Sequence, residues 1–122
     1  MNIVSDVYSP TTYPAGFKPI VYNGNVYKTY AVNADGIFLS FKRNPAQGKI
    51  IKVTIPDKKT GRYPAFGISI DGEKINIPAH RAVAETWIVK KPGDGHIVRH
   101  KDNDKTNWKL SNLEYGTHKE NM

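Results

Sequence analysis

His96-Ile97-Val98-Arg99-His100-Lys101-Asp102-Asn103-Asp104-Lys105-Thr106-Asn107-Trp108-Lys109-Leu110-Ser111-Asn112-Leu113-Glu114-Tyr115-Gly116-Thr117-His118-Lys119-Glu120-Asn121 is the stretch whose reading decides the fold. Its apolar ends, His96 to His100 and Leu113 to Tyr115, read as short strands. Lys101 to Ser111 is crowded with Asp, Asn, Lys and Ser and reads as a polar loop, because such side chains bond the backbone locally and disfavour regular structure. Thr117-His118-Lys119-Glu120 has the form of a capping box, so a helix begins there. The sequence stops two residues later, so that helix is expected to be short or truncated. The order is strand, long polar loop, strand, capped helix. One His stands at a strand end, Asn107 and Asn112 in the loop, and Asn121 on the first helical turn.

Those residue types in that order suit hydrolysis of a phosphodiester. The reaction needs a base to take a proton from water and a divalent ion to offset negative charge at phosphorus and the leaving oxygen. His100 titrates in the right range for the base. Asn121 offers a neutral carbonyl oxygen to a hard ion. Asn107 and Asn112 hold the loop through side-chain to backbone bonds, and helix-start amides add positive potential near a phosphate.

Upstream, the period changes at Pro78. Ala79, Ala82, Val83, Thr86 and Trp87 recur at spacings of three and four, an amphipathic helix of about three turns that Pro78 starts and the Lys90 to Gly95 segment ends. Before it the pattern is β. Val26 to Val32 and Ile37 to Phe41 are strands around the turn Asn33-Ala34-Asp35-Gly36, Ile50 to Ile55 is a third, and Tyr63 to Ile70 with Glu73 to Ile77 is a hairpin around Asp71-Gly72. Lys42 to Lys49 and Pro56 to Arg62 are basic loops, and Met1 to Lys18 is an extended lead-in. The fold class is therefore α+β: a β-rich module over residues 1–76, followed by a C-terminal unit over residues 77–122.

Composition sets the outer bounds. At 122 residues, this is one ordinary domain or a small one with an arm. Cysteine is absent, which excludes disulfides, a thiol nucleophile and cysteine-ligated zinc. Any metal is then held by His, Asp, Glu or Asn, which favours Mg²⁺ or Mn²⁺. No apolar run approaches the ~20 residues of a membrane-spanning helix, and no signal peptide is evident at Met1 to Pro10. The cytoplasm is the expected location. The net charge of +7 points to a polyanionic partner. Residues 1–60 hold eight Lys/Arg against three acids, whereas residues 61–122 hold ten against eight, so the charge excess sits in the first half.

On these residues the chain resembles a known family. Val98-Arg99-His100, Asp102, Asn107, Ser111-Asn112-Leu113, Gly116-Thr117 and Glu120-Asn121 together look like the HNH (ββα-metal) endonucleases of phages, including HNH homing endonucleases. Ile77 to Ile88 is similar to the helix that precedes the motif in such proteins, and Tyr30 to Gly36 to a β-hairpin module that leads them. The resemblance implies a ββα-metal core over 77–122 and a Mg²⁺- or Mn²⁺-dependent endonuclease that cuts or nicks double-stranded DNA. It implies roles too: His100 the general base, Asn112 the residue that fixes the loop and orients that His, and Asn121 a metal ligand. Asp102 and Asn107 then serve the loop, while Arg81, Arg99, Lys101, Lys42 and Arg43 meet the DNA backbone. It also makes the cell a phage-infected or prophage-bearing host.

The chain departs from the pattern in places. Arg99 stands where some members carry Asp or Asn, leaving Asp102 or Asp104 as the second protein ligand. Asn103 stands where Gly is usual, and Trp108 where a second Asn is common. Arg99 and the short last helix motivate an alternative from another class: a DNA-binding or regulatory protein on the same scaffold that has lost catalysis. A third reading is an RNA- or ribosome-associated basic domain. His96 and His100 have the H-x₃-H spacing of half a zinc site. His80 reads as a packing or hydrogen-bonding residue, His118 as exposed, and Trp87 as core. Trp108 either packs back onto the helix or touches DNA. Oligomeric state and target sequence are not legible.

Overall fold

The computed structural model describes residues 2–90, 93 and 95–116. The expected capping box at 117–120, His118, Asn121 and the last helix lie outside the described residues.

Among the described residues the chain forms nine strands and one α-helix. Five strands make one sheet: β1 (Asn2–Val4), β2 (Lys18–Tyr22), β3 (Asn25–Val32), β4 (Phe38–Ser40) and β5 (Lys49–Ile51). Two hairpins follow it, β6 (Ala65–Ile70) with β7 (Glu73–Pro78) and β8 (Ile97–His100) with β9 (Leu113–Gly116). The helix α1 (Ala79–Trp87) stands between the two hairpins in sequence. The architecture is α+β.

β3 organises the large sheet. β2 runs antiparallel along one edge, with an irregularity between Pro19 and Ile20 where proline gives up a ladder donor. The other edge is shared by β1, parallel at Asn25 to Tyr27, and β4, antiparallel at Tyr30 to Val32. The lead-in at 1–18 is thus not uniformly extended loop, since it supplies β1 and the start of β2. The β2–β3 hairpin turns on Asn23 and Gly24, both at positive φ (51° and 78°), the geometry that Asn-Gly favours in two-residue hairpins. The expected strand over Ile50 to Ile55 shrinks to Lys49–Ile51, with Thr54 making a single bridge to Ala65. Within the basic loop that follows, Asp57 caps a 3₁₀ turn over Lys58–Thr60.

α1 has the expected periodicity and buries Ala79, His80, Ala82, Val83 and Ala84. Pro78 ends β7 and caps the helix without a side-chain bond, rather than forming its first turn. The helix is fastened to the β2–β3 hairpin by polar side chains. Thr86 Oγ1 accepts from Val21 N (2.9 Å), Glu85 Oε1 from Asn23 N (2.8 Å), and Trp87 Nε1 donates to Val32 O (3.3 Å).

One apolar cluster draws on both halves of the sequence: Ile20, Val32 and Phe38 from the large sheet, Phe66 and Ile77 from the first hairpin, Val83 from α1, and Val98 and Leu113 from the second hairpin. Phe38 and Phe66 stack at 4.1 Å between ring centres. This core holds β8 and β9 against α1, which places the polar loop between those strands. No helix among the described residues is long and apolar enough to cross a membrane.

Candidate active site

The β8–β9 ladder pairs Ile97 with Gly116, Val98 with Tyr115, Arg99 with Glu114 and His100 with Leu113. Alternation along β8 turns Val98 and His100 inward, leaving Ile97 and Arg99 more open. His100 therefore ends the strand with its ring buried, 6% exposed. Residues 101–112 return the chain to β9.

Asn112 organises that return. It ends a 3₁₀ turn over Leu110–Asn112 and is 9% exposed. Its Nδ2 donates to Asp102 Oδ1 (2.8 Å) and to Asn107 O (2.9 Å), its Oδ1 accepts from Asp102 N (3.2 Å), and its carbonyl accepts from Lys101 N (2.8 Å). Asp102 takes two further bonds, from Asn107 Nδ2 at Oδ2 (2.9 Å) and from Asp104 N at Oδ1 (2.8 Å). The amide of Asn107, then the Asp104 N–H and the Asn112 amide, lower the Asp102 pKa to about 2. Asp104 Oδ1 accepts from the Thr106 N–H (2.9 Å) and hydroxyl (2.7 Å), which also pull its pKa down. Asn112, Asp102 and Asn107 thus form one polar cage beside His100.

His100 itself sits in a ring cluster. Tyr63 lies over it, nearly parallel (5.9 Å, 9°), and over His80 (4.4 Å, 32°), while His80 and His100 are 4.9 Å apart between centres. Burial lowers the His100 pKa, Asp102 and Asp104 oppose that, and Lys105 adds to it. His80 is lowered to about 3, first by burial and then by His100, Arg81 and Lys105. Lys105 donates to Gly61 O (3.0 Å) and stands over the Tyr63 ring, tying the loop tip to the segment before β6. Between them lies a cleft of about 500 Å³ bordered by Ile55, Lys58, Arg62, Asp104 and Lys105.

The basic residues divide. Arg81 pairs with Glu85 (3.1 Å), donates to Asn23 Oδ1 (2.7 Å) and lies over Tyr22. Arg99 pairs with Glu114 (3.3 Å), its neighbour across the ladder. Lys101 is exposed. Lys42 and Arg43 line a separate depression of about 240 Å³ together with Lys49. His96 precedes β8 and meets Lys90, so four residues of largely extended chain, about 13 Å, separate it from His100, and the two cannot share one zinc ion. Trp108 is half-buried against the shared apolar cluster. Its Nε1 donates to Gly36 O (2.9 Å) and its ring fills the space beside Gly36, while Leu110 N donates to Ala34 O (2.9 Å).

Sequence reading missed the ring cluster. Tyr63 and His80 lie far from His100 in the chain, and the available signal was weak: a histidine falling on the buried face of an amphipathic helix. Among the described residues no three His, Cys, Asp or Glu side chains gather as a metal site. The donor chemistry near His100 suits a hard ion all the same. Asp102 commits both carboxylate oxygens to the cage, whereas the bonds of Asp104 fall on Oδ1 alone.

Fold and site define an α+β protein in which a two-stranded ladder presents a buried histidine beside an Asn/Asp loop cage. Residues 78–122 match the model of the HNH endonuclease family, and this segment is what the chain has in common with the HNH endonucleases. Over 105 residues, 85% of the chain, it is 35% identical to an uncharacterised HNH endonuclease of Acanthamoeba polyphaga mimivirus, of which it spans 28%. It is also similar to the solved structure of the HNH homing endonuclease I-HmuI, described for DNA binding and cleavage. That likeness has a TM-score of 0.61 and 31% identity over 75% of this chain and 48% of that one. The chain thus spans under a third of the first relative and about half of the second.

Proposed function

We propose that this chain is a metal-dependent endonuclease that hydrolyses phosphodiester bonds in double-stranded DNA, with nicking as its expected mode. Residues 77–122 are assigned to the ββα-metal core and residues 1–76 to the DNA-binding part, and the described portions of both contribute to the shared apolar cluster. The carrying observation is the buried His100 at the end of β8, beside the Asn112–Asp102–Asn107 cage, in the segment that matches the family.

Neutral His100 takes a proton from the attacking water, and burial favours that neutral form. Since Nε2 is closed off from solvent, Nδ1 is the atom that receives the proton. Asn112 and Asp102 hold the loop so that the ring and the phosphate keep their register. Asn121 and Asp104 would hold a divalent ion, Mg²⁺ or Mn²⁺, which would supply charge neutralisation at the phosphate. Lys101, Lys42 and Arg43 meet backbone phosphates, as do Lys58 and Arg62 at the cleft. Arg81 and Arg99 join them by exchanging their carboxylate partners for phosphate.

The test is conversion of supercoiled plasmid with Mg²⁺ or Mn²⁺, beside EDTA and a His100→Ala variant. Open-circle product is expected with the wild type. It is lost in EDTA and falls by about 10²–10⁴-fold in the variant. A folded wild type that cleaves nothing with any divalent ion removes this reading. Arg99, bound to Glu114 and unable to ligate a cation, favours a second one: a DNA-binding or regulatory protein without catalysis. Its signature is salt-sensitive duplex binding unchanged by His100→Ala.

A further inference from the structure

His80, the second residue of α1, is 6% exposed and packs beside His100 under Tyr63. Two atoms of this cluster lack hydrogen-bond partners. His80 Nδ1 and His100 Nε2 are both buried and have no hydrogen-bond partner among the described residues. Leaving such an atom unbonded in the interior is unfavourable, and here two occur on adjacent rings.

The two vacancies complement one another. A neutral imidazole carries one donor and one acceptor nitrogen. The 4.9 Å between ring centres leaves room for one nitrogen-to-nitrogen bond of ordinary length, ~2.9 Å, after a small rotation about the soft χ2 torsions. We propose that His80 is the positioning residue of His100: His100 Nε2–H donates to His80 Nδ1, which fixes the tautomer of His100 and leaves its Nδ1 lone pair facing the reaction. This rests on the reading of His100 as general base. The opposite direction, donation from His80 Nδ1–H, would leave His100 protonated at Nδ1 and unable to take the proton of water.

Two neighbours support the arrangement. Tyr63 covers both rings and restricts how far either tilts. Burial, together with Arg81 and Lys105, keeps His80 neutral, so its Nδ1 stays available as an acceptor. The same logic governs metal-binding histidines, where a partner on the far ring nitrogen sets the tautomer.

Long-range ¹H–¹⁵N correlation spectra of the full chain read each histidine tautomer without requiring activity. His100 is expected to be protonated at Nε2 in the wild type. His80→Phe keeps a ring and removes the acceptor, so that preference is lost. His80→Asn sets an amide oxygen near the place of Nδ1 and retains it. In plasmid cleavage, kcat of His80→Phe falls about 10–100-fold with KM within about twofold, and His80→Asn recovers most of the loss. A wild-type His100 protonated at Nδ1 overturns the proposal, as does a folded His80→Phe with wild-type kcat and an unchanged spectrum. Should His80→Phe not fold, the wild-type spectrum and His80→Asn decide. If the wild type cuts no DNA, the nuclease reading fails, while the spectra still decide the pairing.

Discussion

Two hairpins of this molecule are built on similar ladders and differ in what joins their strands. β6 and β7 pair from Ala65 with Pro78 to Ile70 with Glu73, and Asp71-Gly72, at φ 49° and 83°, closes them. β8 and β9 pair from Ile97 with Gly116 to His100 with Leu113, and the chain takes residues 101–112 to return. A tight turn suffices to close antiparallel strands. The longer connection is therefore not required by the ladder. Its length goes into the Asn112–Asp102–Asn107 cage and the contacts of Lys105 and Trp108. One hairpin serves the core, and the other carries the proposed site on a packed frame.

The comparison breaks most visibly at Trp108. Trp108→Ala removes the ring that fills the space beside Gly36 and the bond to its carbonyl. A loss of about 3 kcal/mol is expected, read by urea unfolding. A loss below about 1 kcal/mol would mean the loop is not anchored there. Asn112→Ala comes next. It removes three side-chain bonds of the cage, with an expected cost of about 2 kcal/mol and a fall in plasmid cleavage of about 10–100-fold.

Acid sharpens the contrast through the buried histidine. The unfolded chain protonates His80 near 6.5, whereas the folded one resists until about 3. Stability is then lost as pH falls through that window, by at most ~1.4 kcal/mol per unit. Asp102 acts lower and with the same sense: its contribution is present above its ordinary 3.8 and lost as pH falls toward about 2. On the proposed role of His100 as base, cleavage should hold steady down past pH 6.5 and fall only below it, because burial lowers that pKa. A pH–rate profile and acid unfolding followed by circular dichroism read these effects. The smallest effect is expected at the plain hairpin. Gly72→Ala meets no atom within 4 Å and costs only conformational strain at φ 83°, about 1 kcal/mol, with cleavage per folded molecule unchanged. A cleavage defect there would blur the division between the two hairpins.

Much of the fold was legible because its signals are local. The alternation of Val26 to Val32, the Asn33 to Gly36 turn, the Asp71-Gly72 hairpin and the spacing of Ala79, Ala82, Val83 and Trp87 each report neighbours within a few residues. Asn23-Gly24 carries an equally strong signal for the β2–β3 hairpin, in the stretch between Lys18 and Val26 that the sequence reading leaves unassigned. β5 was overextended because Ile50 to Ile55 has strand-like composition but only its start finds a partner in β4.

The site divides in the same way. His100 at a strand end and the Asp102, Asn107 and Asn112 cage lie within a dozen residues, and the cage is closed by local bonds among side chains and between side chains and backbone. The sequence by itself determined the order of elements, the polar loop and its cage. Only the tertiary structure decided that Arg81 and Arg99 are tied to glutamates, that Trp108 closes on Gly36, and that Tyr63 and His80 enclose His100. Apart from Arg81 and Glu85, one turn apart on α1, those contacts join residues distant in the chain, and packing of the shared core, which no local pattern encodes, is what brings them together.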